Sequence, residues 1–164
     1  NELEPARAMQ EYVYAHLPGE NRPDFFGCQV VADENDEVLG ENSRLLIGAT
    51  TLGVREIVEK THELSGLSIA SHVDRPAFGL ISQLGFIPPD LPLDGVEVSY
   101  RISPRQARKE IPGVSDLPCV TSSDAHYLDD IGRAWTEFVI EKLSFEEISL
   151  ALRGSRGRQV LLEH

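Results

Sequence analysis

Two short stretches place imidazole, carboxylate and guanidinium groups close together. The first is SHVDRP at residues 71–76, with His72, Asp74 and Arg75. The second is SSDAH at residues 122–126, with Asp124 and His126. Each follows an apolar run with strand character, LSIAS before His72 and LPCVTS before Asp124. In parallel α/β folds ligands gather at the carboxyl ends of strands, so His72, Asp124 and His126 are expected on one rim. Two imidazoles and one carboxylate form a ligand set suited to Zn, Fe or Mn. The small Ala125 lets Asp124 and His126 point inward from a single turn. Each residue also has a plainer role open to it. Asp124 suits the cap of a short turn, and His72 suits a hydrogen-bonded turn histidine. Arg75 suits either a bidentate grip on a substrate phosphate or an ion pair with Asp74 or another neighbour. Glu97, in the run VEVSY, suits a metal ligand, a carboxylate that steadies a ligand from behind, or a plain polar strand position, and the second is preferred.

The elements that must hold these groups can be read along the chain. Leu3, Ala6, Met9, Val13 and Leu17 recur at helical steps, predicting a helix over 3–17. CQVVADENDEVLG reads as a hairpin about the turn DEND, whose Asp33, Glu34 and Asp36 are expected to form a solvated tip rather than a cation site. TLGVREIVEKTHELSG is a helix with Val54, Ile57, Val58 and Thr61 on one face and Gly66 at the left-handed cap position. His16 and His62 fall on helices and are expected at the surface or boundary. A short helix over 77–85, a helix from Pro104, and a helix with the capping box Ser144 to Glu147 alternate with strands at 67–71, 96–100, 117–122, 135–140 and 158–162. That alternation predicts an α/β class with mainly parallel strands and an added hairpin. An N-terminal helix and hairpin segment at 1–48 would precede a βα region at 49–161. A complete eight-stranded barrel takes ~250 residues, more than the 164 here.

Composition narrows the class. Hydrophobic residues make up 41% and charged residues 26%, an ordinary globular balance. No apolar run approaches the ~18 residues of a membrane span, and the start NELEPARAMQ is not a signal sequence. Cys28 and Cys119 form no disulfide framework and are expected as buried free thiols in a reducing cytoplasm. The formal net charge of −12 predicts no extended nucleic acid and no membrane among the partners. It leaves open an anionic small substrate, whose charge bound metal ions would offset. The ending LLEH resembles the start of an affinity tag, so Leu162, Glu163 and His164 carry no functional weight.

IASHVDRPAF followed by TSSDAHYLDDIG resembles the later motifs of the PHP family, the polymerase and histidinol phosphatase domains. The resemblance spans about residues 50–160, and the preceding segment is similar to a variable middle part of certain bacterial members. It implies part of a distorted βα barrel, up to three divalent metal ions (Zn, Mn or Fe) and phosphoesterase chemistry. His72 would match the later single-histidine ligand, and Asp124 with His126 the final Asp-x-His pair. The His-x-His with which such domains open is nowhere in this chain. The expectation is therefore the C-terminal part of a longer metal-dependent phosphoesterase that acts on a small phosphorylated substrate, inactive by itself and either weakly metal-binding or metal-free. The alternative is a degenerate interaction or regulatory domain. A polymerase-associated nuclease would share the chemistry, but the acidic charge speaks against it. Strand edges exposed by an incomplete barrel predict a homodimer, with the 28–40 hairpin as a route.

Overall fold

The computed structural model describes residues 3–161; the proposed tag residues 162–164 lie outside them. The chain forms two compact units that divide between Lys60 and Thr61.

In the first unit the amphipathic start forms α1, Leu3–Ala15. A one-turn helix α2, Pro23–Phe26, begins on a proline at its first position, where a missing N–H costs nothing. The hairpin follows as expected. β1, Val30–Ala32, pairs antiparallel with β2, Val38–Glu41, with an irregularity between Val31 and Ala32. Every strand residue is exposed, so its order comes from polar contacts. Asp33 accepts the N–H groups of Asn35 at 2.9 Å and Glu37 at 3.0 Å. These two bonds hold its carboxyl below the usual range. The acidic tip is thus a self-bonded turn.

The helix α3, Val54–Glu63, crosses the division and buries Val58. Its end differs from expectation. Ser65, at φ 60°, is the left-handed residue, and Gly66 is not. Glycine is needed at 66 for space, since a Cβ there would lie 2.8 Å from Thr61 Cγ2 and 3.0 Å from Thr61 O.

The second unit is built on a parallel sheet of β3, Ile69–Ala70, β4, Gly95–Val98, and β5, Cys119–Thr121, in that order. Ile69 aligns with Gly95 and Val96 with Cys119. The crossovers carry α4, Leu80–Leu84, and α5, Pro104–Glu110. α5 starts as its sequence requires, with the Ser103 hydroxyl accepting the Gln106 N–H and Pro104 next. Val96 and Val98 of the central strand are 0% exposed and pack with Val73, Ile87, Ala107, Val114 and Cys119. Glu97 alternates to the opposite face. That alternation gives the unit an apolar side and a polar side.

The last two strands correct the expectation of a continuing parallel sheet. β6, Glu137–Val139, and β7, Gln159–Leu161, pair antiparallel with each other as a separate ribbon, with α6, Phe145–Leu152, between them. Alternation of strand and helix signals order, not direction. Left-handed residues at Gly154, Arg156 and Gly157 turn the chain sharply after α6. The capping box is only half formed: the Ser144 hydroxyl accepts the Glu147 N–H, but the Glu147 carboxylate is drawn elsewhere. Its oxygens take Nε of Arg158 at 2.8 Å, Nη2 of Arg158 at 3.1 Å and the Glu141 N–H at 2.8 Å. The Arg158 bonds, more than any other cause, hold its carboxyl below the ordinary range. Among the described residues no helix is long and apolar enough to cross a membrane.

Candidate metal and phosphate site

The carboxyl ends of β3, β4 and β5 are tied to one another by polar side chains. Asp74, just past β3, accepts the Ser99 N–H at 2.7 Å through Oδ1 and the Ser99 hydroxyl through Oδ2. Glu97 of β4 accepts the hydroxyl of Ser122 from the turn after β5. Nη2 of Arg75 lies 2.7 Å from Oδ2 of Asp124. The two stretches singled out by residue type therefore meet, although nearly fifty positions separate them in the chain. Of the roles open to Arg75, the ion pair is present, and its partner is Asp124 rather than Asp74.

His72 and Asp124 share an uncommon backbone state, with φ of 27° and 47°. Left-handed conformations of residues other than glycine carry strain that gathers at functional sites. Nδ1 of His72 is buried and has no hydrogen-bond partner among the described residues. Oδ2 of Asp124 is also buried without a well-directed hydrogen bond, its contact being the charge of Arg75. His126 is exposed, and its Nδ1–H donates to the Asp124 carbonyl at 2.9 Å. In that tautomer Nε2 carries the lone pair, the arrangement that orients metal-binding histidines. The donor types thus suit a divalent metal, but the number falls short: no three His, Cys, Asp or Glu side chains form a metal-holding group among the described residues.

The loop after β5 is held from within. The Ser123 hydroxyl donates to the Ala134 carbonyl at 3.0 Å and accepts the Gly132 N–H at 2.9 Å, closing residues 123–134 on themselves. Neither this clamp nor the Asp74–Ser99 tie was read from the sequence. Asp74 carried the signal, as a short acidic side chain directly past a strand end. His62 lies at the boundary as expected, with Nε2 2.8 Å from Oδ2 of Asp94. Cys119 is buried as expected, and burial pushes its thiol up to about 11. Cys28 is exposed, contrary to expectation, because it precedes a hairpin with no apolar cover.

A parallel βα unit with its polar chemistry gathered beyond the strand ends is the class these features define. Residues 112–156 match the family model described as PHP-associated, PHP_C. The uncharacterized protein YqxK of Bacillus subtilis (strain 168) is 28% identical over 111 residues, which are 65% of this chain and 28% of that protein. The fold is also that of the lesion-specific endonuclease PfuEndoQ from Pyrococcus furiosus, at 23% identity and a TM-score of 0.64, over 96% of this chain and 35% of that one. Endonuclease Q in complex with a 27-mer duplex carrying an abasic lesion at the active site is similar at 21% identity and a TM-score of 0.67, with the same coverage. The family match thus falls on the stretch that holds the second motif string, and the solved structures share the fold. The chain spans about a third of the length of these relatives.

The exclusion of nucleic acid does not stand. This fold occurs in an endonuclease bound to a DNA duplex. A net charge of −12 is a sum over the whole surface, whereas phosphate contacts depend on where a few arginines lie.

Proposed function

We propose that this chain is part of a PHP-type phosphoester hydrolase acting on DNA, and that the rim beyond β3 and β5 is its share of the active centre. The observation that carries this reading is the meeting of Arg75 with Asp124 at 2.7 Å, in a fold shared with Endonuclease Q. The three-stranded sheet would be one arc of a distorted barrel. His72, Asp124 and His126 would hold divalent metal, Zn, Mn or Fe, together with donors from outside the described residues. Bound metal would supply an acidified water and charge stabilisation for phosphoryl chemistry. The chain's own contribution is positional. Asp74 and Ser99 fix the turn that carries His72 and Arg75, Ser122 fixes Glu97, and Ser123 fixes the loop that carries Asp124 and His126. Arg75, once released from Asp124, would grip a non-bridging phosphate oxygen.

Alone, the 164-residue chain is expected to bind metal weakly and to leave DNA uncut. Titration with Mn or Zn, followed by elemental analysis, tests this on the chain and on Asp124→Ala. Weak binding that Asp124→Ala abolishes supports the reading, and binding indifferent to Asp124 removes it. A second reading, an interaction domain without catalysis, is favoured by one observation: Asp124 is already neutralised by Arg75. Binding of metal that displaces Arg75 would set it aside.

A further inference from the structure

A cleft of about 350 Å³ lies on the second unit between the segment after β4 and the segment leading into β6. It contains none of His72, Asp74, Arg75, Asp124 or His126. Tyr100, Arg101 and Ser103 form one wall, and Arg133, Trp135 and Thr136 the other. Among the described residues two arginines line it and no aspartate or glutamate does, in a chain with 27 acidic against 15 basic residues. Both guanidinium groups address one ring, with Arg133 4.6 Å and Arg101 5.7 Å from the Tyr100 centroid. Arg133 is steadied by Asp130 from behind. The hydrogen bond and charge of Arg101, with the charge of Arg133, hold the Tyr100 hydroxyl below its ordinary pKa, so the local field favours an anion despite the acidic chain.

The walls are built rather than loose. Thr136 Oγ1 donates to the Thr121 carbonyl at 2.7 Å and accepts the Thr121 N–H at 2.8 Å, pinning the second wall to β5. Trp135 is 52% exposed, and its Nε1–H donates to Glu137 at 3.3 Å. Such a tie orients the indole by its polar edge. Ile102, Cys119 and Leu161 supply apolar lining.

We infer that this cleft binds a nucleotide unit, its base against the Tyr100 and Trp135 rings and its phosphate against Arg101 and Arg133. Flat π surfaces suit a base of any identity, and paired guanidinium groups suit a phosphate. An acidic peptide would use the arginines without the rings, and an apolar ligand the rings without the arginines. The cleft borders the rim but shares none of its candidate metal ligands, and the inference does not rest on the hydrolase reading: nucleotide binding without cleavage would keep it.

Trp135 is the one tryptophan of the chain, so intrinsic fluorescence reports this cleft directly. The chain is titrated in chelator, which removes any metal at the rim, with thymidine 5′-monophosphate, a single strand of about ten nucleotides, thymidine, and inorganic phosphate. Saturable quenching is expected with the nucleotide and the strand, with thymidine and phosphate each at least about tenfold weaker. Arg101→Met and Tyr100→Leu, both at exposed positions, are each expected to weaken binding about tenfold with unchanged circular dichroism. Tighter, salt-sensitive binding of the strand identifies the occupant as part of a nucleic acid, and equal binding identifies a free nucleotide. Absence of saturable quenching by either overturns the inference, as does quenching that survives both substitutions or that phosphate alone reproduces.

Discussion

Arg75 meets Asp124 at 2.7 Å and Arg158 meets Glu147 at 2.8 Å, and the surroundings of the two pairs have little else in common. Glu147 sits at the start of α6 with both oxygens bonded, to two guanidinium nitrogens and a backbone N–H. It joins the segment after β6 to the turn before β7, and its backbone is ordinary helix. Asp124 has a left-handed backbone and, among the described residues, a buried oxygen with no well-directed hydrogen bond, while Nδ1 of His72 is likewise without a partner. A saturated pair in a relaxed backbone is built to hold. On the proposed function, the under-bonded pair on a strained backbone is the one expected to exchange partners. Length alone does not tell the two apart; the count of remaining bonds does.

Substitutions can break this contrast. Glu147→Ala leaves the Arg158 guanidinium, 19% exposed, without its main partner and is expected to lower the thermal midpoint by on the order of 10 °C. Val96→Ala, in the fully buried centre of the sheet, should cost about 2–3 kcal/mol by lost burial and cavity formation in chemical denaturation. Asp124→Asn should cost less than about 1 kcal/mol while abolishing metal affinity. A stability loss as large as that of Glu147→Ala would erase the distinction drawn between the pairs.

Acid should separate the pairs further. The Glu147 carboxyl is held below its ordinary range, so its contribution is complete above the unfolded value of about 4.3 and is lost as pH falls through the depressed folded value. The thermal midpoint of the unsubstituted chain should therefore drop across that window more steeply than that of Glu147→Gln. The smallest effect concerns thiols. At neutral pH a thiol reagent should label exposed Cys28 at once and reach Cys119, buried and pushed up to about 11, only after unfolding.

The parallel strands were legible because their signals are local. Val96 and Val98 alternate with Glu97, Pro104 follows a serine cap, and SSDAH follows an apolar run. The antiparallel turn of β7 was not, since direction is set by backbone angles at Gly154, Arg156 and Gly157 and not by periodicity. Within the candidate site, residue type and strand ends pointed to His72, Arg75 and Asp124. The pairing of Arg75 with Asp124 and the walls around Tyr100 and Trp135 arise from segments far apart in sequence, where spacing carries no signal. Net charge misled for a similar reason, being blind to position.

The register of the parallel sheet also orders events in time. Ile69 pairs with Gly95 and Val96 with Cys119, so each pairing must close a loop of more than twenty residues. The β1–β2 hairpin closes across a few. Hairpins form within about 1–10 μs, whereas distant pairings wait on loop closure. Contact between Arg75 and Asp124 requires both crossovers to be complete. The rim therefore cannot assemble before the three-stranded sheet, and any probe of it counts only chains in which that sheet has formed.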